Sequence, residues 1–159
     1  MLVVALLVGL VLLLFVVIPL FERVSPPHVV RAYQRLSMPL FRASAGFVPG
    51  FAIVETIGRR TGKTRRVPVG GRVRGDEFWF VAGIGRRAGY VKNIEANSRV
   101  RVKALGRWRT GTATLALDDN ATRRMFAVSP ANGFFLWLAG GRHLSVRVDL
   151  DQIDGPTGP

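Results

Sequence analysis

Residues Met1 to Phe21 form an apolar stretch of Leu, Val, Ile, Phe, Ala and Gly, with one proline, Pro19, and no charged side chain. At about 1.5 Å of rise per residue, some twenty helical residues cover the roughly 30 Å hydrocarbon core of a bilayer. The stretch lacks the basic n-region and the small-x-small cleavage site of a signal peptide, so a retained anchor is predicted over residues 1–21. Arg23, Arg31, Arg35 and Arg42 follow it. The positive-inside rule then gives a single-pass protein of the cell membrane with its carboxy-terminal part in the cytoplasm. Residues 22–49 are Pro-punctuated and read as a juxtamembrane linker. Within it, His28 to Leu36 is expected to form a short amphipathic helix, lying on anionic headgroups or simply solvated.

After Gly50 the period changes to two. Phe51 to Ile57, Arg65 to Arg74 and Glu77 to Ala82 are predicted strands, the last two joined by a tight turn at Gly75-Asp76. A helix is expected from Gly89 to Ala96. Val100, Val102 and Ala104 then alternate with Arg99, Arg101 and Lys103, and Trp108 to Leu117 pairs back around Gly106. Asp118 or Asp119 is expected to cap a helix running to Val128, and Leu144, Val146, Val148 and Leu150 mark a last strand. Six short strands and two helices, joined mostly by hairpins, predict a small antiparallel barrel, mainly β with some helix, over residues 50–151. The Gly/Pro-rich residues 152–159 read as a disordered tail.

Composition narrows the chemistry. The 159 residues contain no cysteine and only two histidines, His28 and His143, which removes disulfide scaffolds, thiolate chemistry and most metal cages; no metal site is expected. The charge is +13, and it is unevenly placed: residues 23–109 hold 19 bases and 4 acids, residues 118–159 hold 4 bases and 5 acids. Between Gly58 and Gly75 stand Arg59, Arg60, Lys63, Arg65, Arg66, Arg72 and Arg74 with no acid before Asp76. A glycine-bearing turn there is expected to leave backbone N–H groups free to face an anion, with forked arginine contacts and the Thr61 hydroxyl beside them. Arginine outnumbers lysine twenty to three, so a solvated or lipid-facing basic surface is the competing explanation.

Two nucleotide motifs are only apparent. Gly58-Arg59-Arg60-Thr61-Gly62-Lys63-Thr64 has three residues between its glycines where a phosphate loop needs four, and Pro68 disfavours the helix that would have to follow. Gly83-Ile84-Gly85-Arg86-Arg87-Ala88 imitates a dinucleotide fingerprint, but Lys103 and Ala104 stand where a ribose-binding acid belongs. Phe78, Trp79, Phe80 and Trp108 near the arginines suggest base stacking. Strand alternation buries half of those rings, so no nucleic-acid partner is expected.

The runs Thr56-Ile57-Gly58-Arg59-Arg60-Thr61-Gly62-Lys63-Thr64-Arg65-Arg66-Val67-Pro68-Val69 and Tyr90-Val91-Lys92-Asn93-Ile94-Glu95-Ala96-Asn97-Ser98-Arg99-Val100 resemble the deazaflavin-dependent nitroreductase and quinone reductase family. The likeness covers Phe51 to Leu150. It implies a split β-barrel related to flavin-mononucleotide oxidases and, as cofactor, coenzyme F-420, a deazaflavin with a phosphate and an oligoglutamate tail; FMN is the alternative. By that resemblance Arg59, Arg60, Thr61, Gly62, Lys63 and Arg65 hold the phosphate and tail. The backbone around Val67, Pro68 and Val69 lines the ring, Ala82, Gly83 and Ile84 meet its polar edge, and Tyr90 and Asn93 complete the pocket. On the residues alone, Tyr90 reads as a core aromatic and Asn93 as a surface amide or cap. Thr64, Tyr90 and Ser98 depart from the family's proline, tryptophan and proline. The loop Gly85 to Gly89 is short, and the tyrosines of the family's substrate lid are replaced by the apolar run Phe134 to Leu138.

The resemblance thus implies an anchored oxidoreductase that passes hydride from reduced F-420 to a hydrophobic small molecule, a quinone or nitro compound, with Tyr90, Lys92 or solvent as proton source. The alternative is a non-catalytic module that binds F-420 or anionic lipid. A homodimer is compatible with either.

Overall fold

A computed structural model describes residues 45–151 throughout and, ahead of them, residues 17, 18, 20, 21, 24–26, 28 and 29. Most of the expected anchor, most of the linker and the whole tail lie outside the described residues. Among the described residues no helix is long and apolar enough to cross a membrane.

Six strands follow the period-two pattern: β1 (Phe51–Ile57), β2 (Thr64–Arg74), β3 (Glu77–Ala82), β4 (Arg99–Ala104), β5 (Arg107–Ala116) and β6 (Leu144–Leu150). A 3-10 turn (Gly85–Arg87) and helix α1 (Gly89–Ala96) separate β3 from β4, and α2 (Ala121–Val128) and α3 (Pro130–Ala139) separate β5 from β6. The strands close into an antiparallel barrel in the order β1-β2-β3-β6-β5-β4. Closure is made by β1 on β4, from Ala52 opposite Ala104 to Glu55 opposite Arg101. Alternate residues point inward, so Val54, Phe78, Phe80, Val102, Val146 and Val148 meet in one core. Each such side chain contributes about 1.5–3 kcal/mol on burial.

Phe78 and Phe80 lie fully inside, whereas Trp79 and Trp108 face outward under guanidinium groups. Arg124 lies 3.9 Å from the Trp79 ring centre, and Arg101 and Arg66 lie 4.8 and 5.4 Å from that of Trp108. The four aromatics form no shared stacking platform.

Two expectations need correction. The apolar run after Ser129 is a third helix, α3, which starts at Pro130, a residue suited to the first helical position. The cap of α2 is Asn120, whose Oδ1 accepts from the Arg123 N–H at 2.9 Å; the helix begins at Ala121, so only residue 120 can reach that amide. Asp119 instead accepts two hydrogen bonds from Arg124, at 2.7 and 3.0 Å. These bonds hold its carboxyl below the usual carboxylate range. The folded state then binds fewer protons than the unfolded chain, so this contribution is whole above about pH 4 and is lost as pH falls through the depressed value. Asp119→Asn is expected to cost about 1 kcal/mol at neutral pH. In urea unfolding at a series of pH values, it should also remove part of the acid-side slope.

Candidate functional site

β2 changes partner midway. From Thr64 to Gly70 it pairs with β1, and from Gly71 to Arg74 with β3. Beyond the Gly71–Phe80 pair the two strands diverge, leaving Val67, Pro68 and Val69 on one lip of a split and Ala82, Gly83 and Ile84 on the other. The half of β2 from Thr64 to Gly70 has a strand on one side only, so its second edge leaves main-chain groups to other partners.

The inner wall of the split comes from α1. Tyr90 packs against both apolar clusters, with its ring centre 6.2 Å from that of Phe80. Burial pushes its phenol up to about 12, so it stays protonated at neutral pH and is a poor source of a transferred proton. The outer wall is α3. Gly70 and Gly83 both face outward, in phase opposite to core residues Val69 and Ala82. A Cβ on Gly83 would lie 2.7 Å from Leu136 Cδ2, and one on Gly70 would overlap Asn132. At Gly70 a side chain would displace Asn132 down to its Cβ, whereas at Gly83 it would displace only the end of Leu136.

At the open end sits the turn from Gly58 to Lys63. It is tied to α1 through Asn93, which is only 7% exposed: Oδ1 accepts from the Arg59 N–H at 3.2 Å, and Nδ2 donates to Thr56 Oγ1 at 3.1 Å. Asn93 is thus neither a surface amide nor a cap, and both ends of its amide are engaged within the protein. Thr56, the other end of this link, was missed from sequence; its inward phase on β1 is the signal that could have found it.

Most backbone N–H groups of the turn are engaged, and that of Arg60 has no partner among the described residues. The N–H groups of Gly58, Thr61 and Gly62 donate to carbonyls within the turn, that of Arg59 to Asn93 and that of Lys63 to Thr61 Oγ1 at 3.4 Å. Any grip on an anion therefore falls mainly to side chains, with the Arg60 N–H beside them. Arg59, Arg60, Lys63 and Arg65 are exposed and make no ion pair among the described residues.

The seven cations of the sequence do not form one cluster. At about 3.3 Å per residue, Arg72 and Arg74 lie some 20–30 Å along β2 from Arg65. Arg66 faces the outside of the barrel, where it and Arg101 clamp Glu55 at 2.7 and 3.1 Å. The clamp borders a cleft of about 490 Å³ lined by Glu55, Thr64, Arg65, Arg66 and Arg101.

Four unpaired cations at the mouth of a split with a free main-chain edge suit a planar group carrying an acidic tail. The fold is a closed six-stranded antiparallel barrel with three helices. The model of the F420H(2)-dependent quinone reductase family matches residues 28–151, and the chain belongs to that family. Its class is accordingly oxidoreductase and its cofactor coenzyme F-420. Among curated proteins nothing matches.

Similar solved structures include an F420-H2 dependent reductase (FDR-A), at 19% identity and TM-score 0.49, covering 62% of this chain and 93% of that one. A structure described as a domain-swapped dimer shows 18% identity and TM-score 0.51, over 78% and 99% of the two chains. General Stress Protein 26 from Bacillus anthracis str. Sterne shows 14% identity and TM-score 0.51, over 72% and 89%. The likenesses at TM-score 0.51 show the barrel fold alone.

The Glu55 clamp gives a test of which arginines are available. Glu55→Gln is expected to cost about 1 kcal/mol in urea unfolding, the scale of a partly exposed ion pair. By releasing Arg66 it should also tighten F-420 binding, measured by quenching of coenzyme fluorescence.

Proposed function

We propose that this chain is a membrane-anchored reductase that uses F-420 to reduce a hydrophobic acceptor such as a quinone or nitro compound. The observation that carries the reading is the set of unpaired turn cations, held by Asn93 at the mouth of the β2–β3 split. Arg59, Arg60 and Arg65 would hold the phosphate and oligoglutamate by charge-assisted, forked contacts, with Lys63 adding a point charge. Thr61 adds a hydroxyl, and Gly62, with φ 63°, allows the turn. The backbone of Val67–Val69 and of Ala82–Ile84 would line the ring, with Tyr90 and α3 to either side.

The chemistry that the bound coenzyme supplies is hydride donation. The protein's part is placement, and fixing two reactants in a near-attack geometry is worth about 7–11 kcal/mol of barrier. With the Tyr90 phenol pushed up to about 12, Tyr90 serves as a hydrogen-bond donor to a developing oxyanion. The proton itself comes from solvent or from the exposed Lys92.

The direct experiment mixes full-length protein, reduced F-420 and a menaquinone-like acceptor and follows reappearance of the oxidised coenzyme. Protein-dependent oxidation is expected. Quenched coenzyme fluorescence with no oxidation would instead make the chain a binding module, and tight binding of FMN with none of F-420 would overturn the cofactor role of the split.

The anchor over residues 1–21 places the barrel in the cytoplasm, beside dissolved quinone. Because the chain has no cysteine, Asp118→Cys on the exposed α2 approach provides a unique label. It should resist a membrane-impermeant maleimide in intact cells and react after lysis; labelling of intact cells would reverse the topology.

A further inference from the structure

Helix α3 carries no charged residue, and of its ten residues only Gly133 is buried. Phe134 and Trp137, one turn apart with ring centres at 6.0 Å, are 39% and 55% exposed. The chain from Gly83 to Gly85 runs against the end of this helix. Gly83 meets Leu136, a Cβ on Gly141 would lie 2.8 Å from the Gly83 carbonyl oxygen, and one on Gly85 would overlap the Arg142 carbonyl. Ile84, 60% exposed, is thereby set beside the helix, with Arg87 and Arg142 at the same end. Arg86 is paired with Glu95 at 3.4 Å, but Arg87 and Arg142 make no ion pair among the described residues.

We propose that the Phe134–Trp137 face of α3, with Ile84 beside it and Arg87 and Arg142 at its rim, docks on the surface of an anionic lipid bilayer. The composition is that of an interfacial site: amphipathic aromatic rings at headgroup depth, apolar side chains behind them and cations at the margin. Charge favours an anionic surface over a second copy of the chain, since each copy carries a net charge of +13. The patch is small. An apolar segment such as Met1 to Phe21 in the same chain would hold it at the membrane and make weak docking sufficient.

Since α3 touches both lips of the split, docking would turn the site toward the lipid, where a dissolved acceptor is concentrated. That consequence rests on the proposed function; the docking itself does not.

The test uses the full-length protein reconstituted with vesicles whose acyl chains are brominated, which quenches tryptophan only at short range. In phosphatidylglycerol vesicles, strong quenching is expected and most of it should vanish in Trp137→Phe, since Trp79 and Trp108 lie under arginines. Wild-type quenching should be weaker in phosphatidylcholine. The Arg87→Gln/Arg142→Gln pair should shift the docked-to-undocked ratio by about fivefold per arginine.

Quenching unchanged by Trp137→Phe, or equal in the two lipids and indifferent to the arginine pair, would overturn the proposal. So would efficient Trp137→Cys cross-linking between copies without lipid quenching. F-420 oxidation with a water-soluble acceptor is measured on the same samples. Loss of turnover with Trp137 still quenched would remove the reductase reading and leave the docking surface standing.

Discussion

Replacing Arg60 and Lys63 with alanine should weaken F-420 binding about a hundredfold or more while leaving the barrel's thermal unfolding where it is. A hydrogen bond to a charged group contributes about 1.5–3 kcal/mol, so two such bonds are worth at least a hundredfold in Kd. Neither side chain has another role to lose, since both are exposed and outside every ion pair of the described residues. The matched control is Arg72→Ala with Arg74→Ala, which removes the same two positive charges from the far end of β2. At some 20–30 Å, that pair lies beyond the roughly 10 Å screening length of 0.1 M salt, and binding should hardly change. Fluorescence titration of both double variants decides the matter. Equal losses would mean that the protein attracts the coenzyme by its overall field and that the turn is no site.

The same contrast shows what the sequence made legible. Strict alternation in Val100–Val102–Ala104 and Leu144–Val146–Val148–Leu150 reflects one buried face, which is why the strands could be placed to within a residue or so. The turn at Gly58–Lys63 was visible because glycines and consecutive cations punctuate it.

Facing and reach were lost in the run of arginines. A strand turns neighbours to opposite sides, so Arg66 is engaged by Glu55 while Arg65 beside it makes no ion pair among the described residues. Extension then carries Arg72 and Arg74 away. Counting charges along a chain is therefore sound for a helix surface and misleading for an eleven-residue strand. Most of the expected anion nest was lost for another reason: the turn's own carbonyls and side chains and one buried amide satisfy its N–H groups except that of Arg60, and composition carries no sign of that. The contact of α3 with the lips was likewise hidden, because it falls on two glycines, Gly70 above all and Gly83, that are ordinary until a helix meets them.

Asn93→Leu should damage both stability and binding although it removes no charge and no exposed group. Leucine keeps the volume but strands the Arg59 N–H and the Thr56 hydroxyl, and each unsatisfied group costs about 1–3 kcal/mol when buried. A loss of about 2–4 kcal/mol follows, which at about 4–8 °C per kcal/mol for a barrel of roughly 100 residues lowers Tm by roughly 10–30 °C. Coenzyme affinity should fall about tenfold, because a turn free to move must be ordered again on binding, at about 1–2 kcal/mol per residue fixed. Asn93→Asp keeps the acceptor for Arg59, and a rotated Thr56 hydroxyl can donate to it, so it should lie between leucine and wild type. Thr56→Val separates positioning from contact. It breaks the link on the side away from the coenzyme, so a positioning role for Asn93 predicts a few-fold loss of F-420 affinity alongside about 1 kcal/mol of stability. If Asn93 acts by touching the coenzyme itself, Thr56→Val will destabilise the barrel and leave the affinity of the folded protein unchanged.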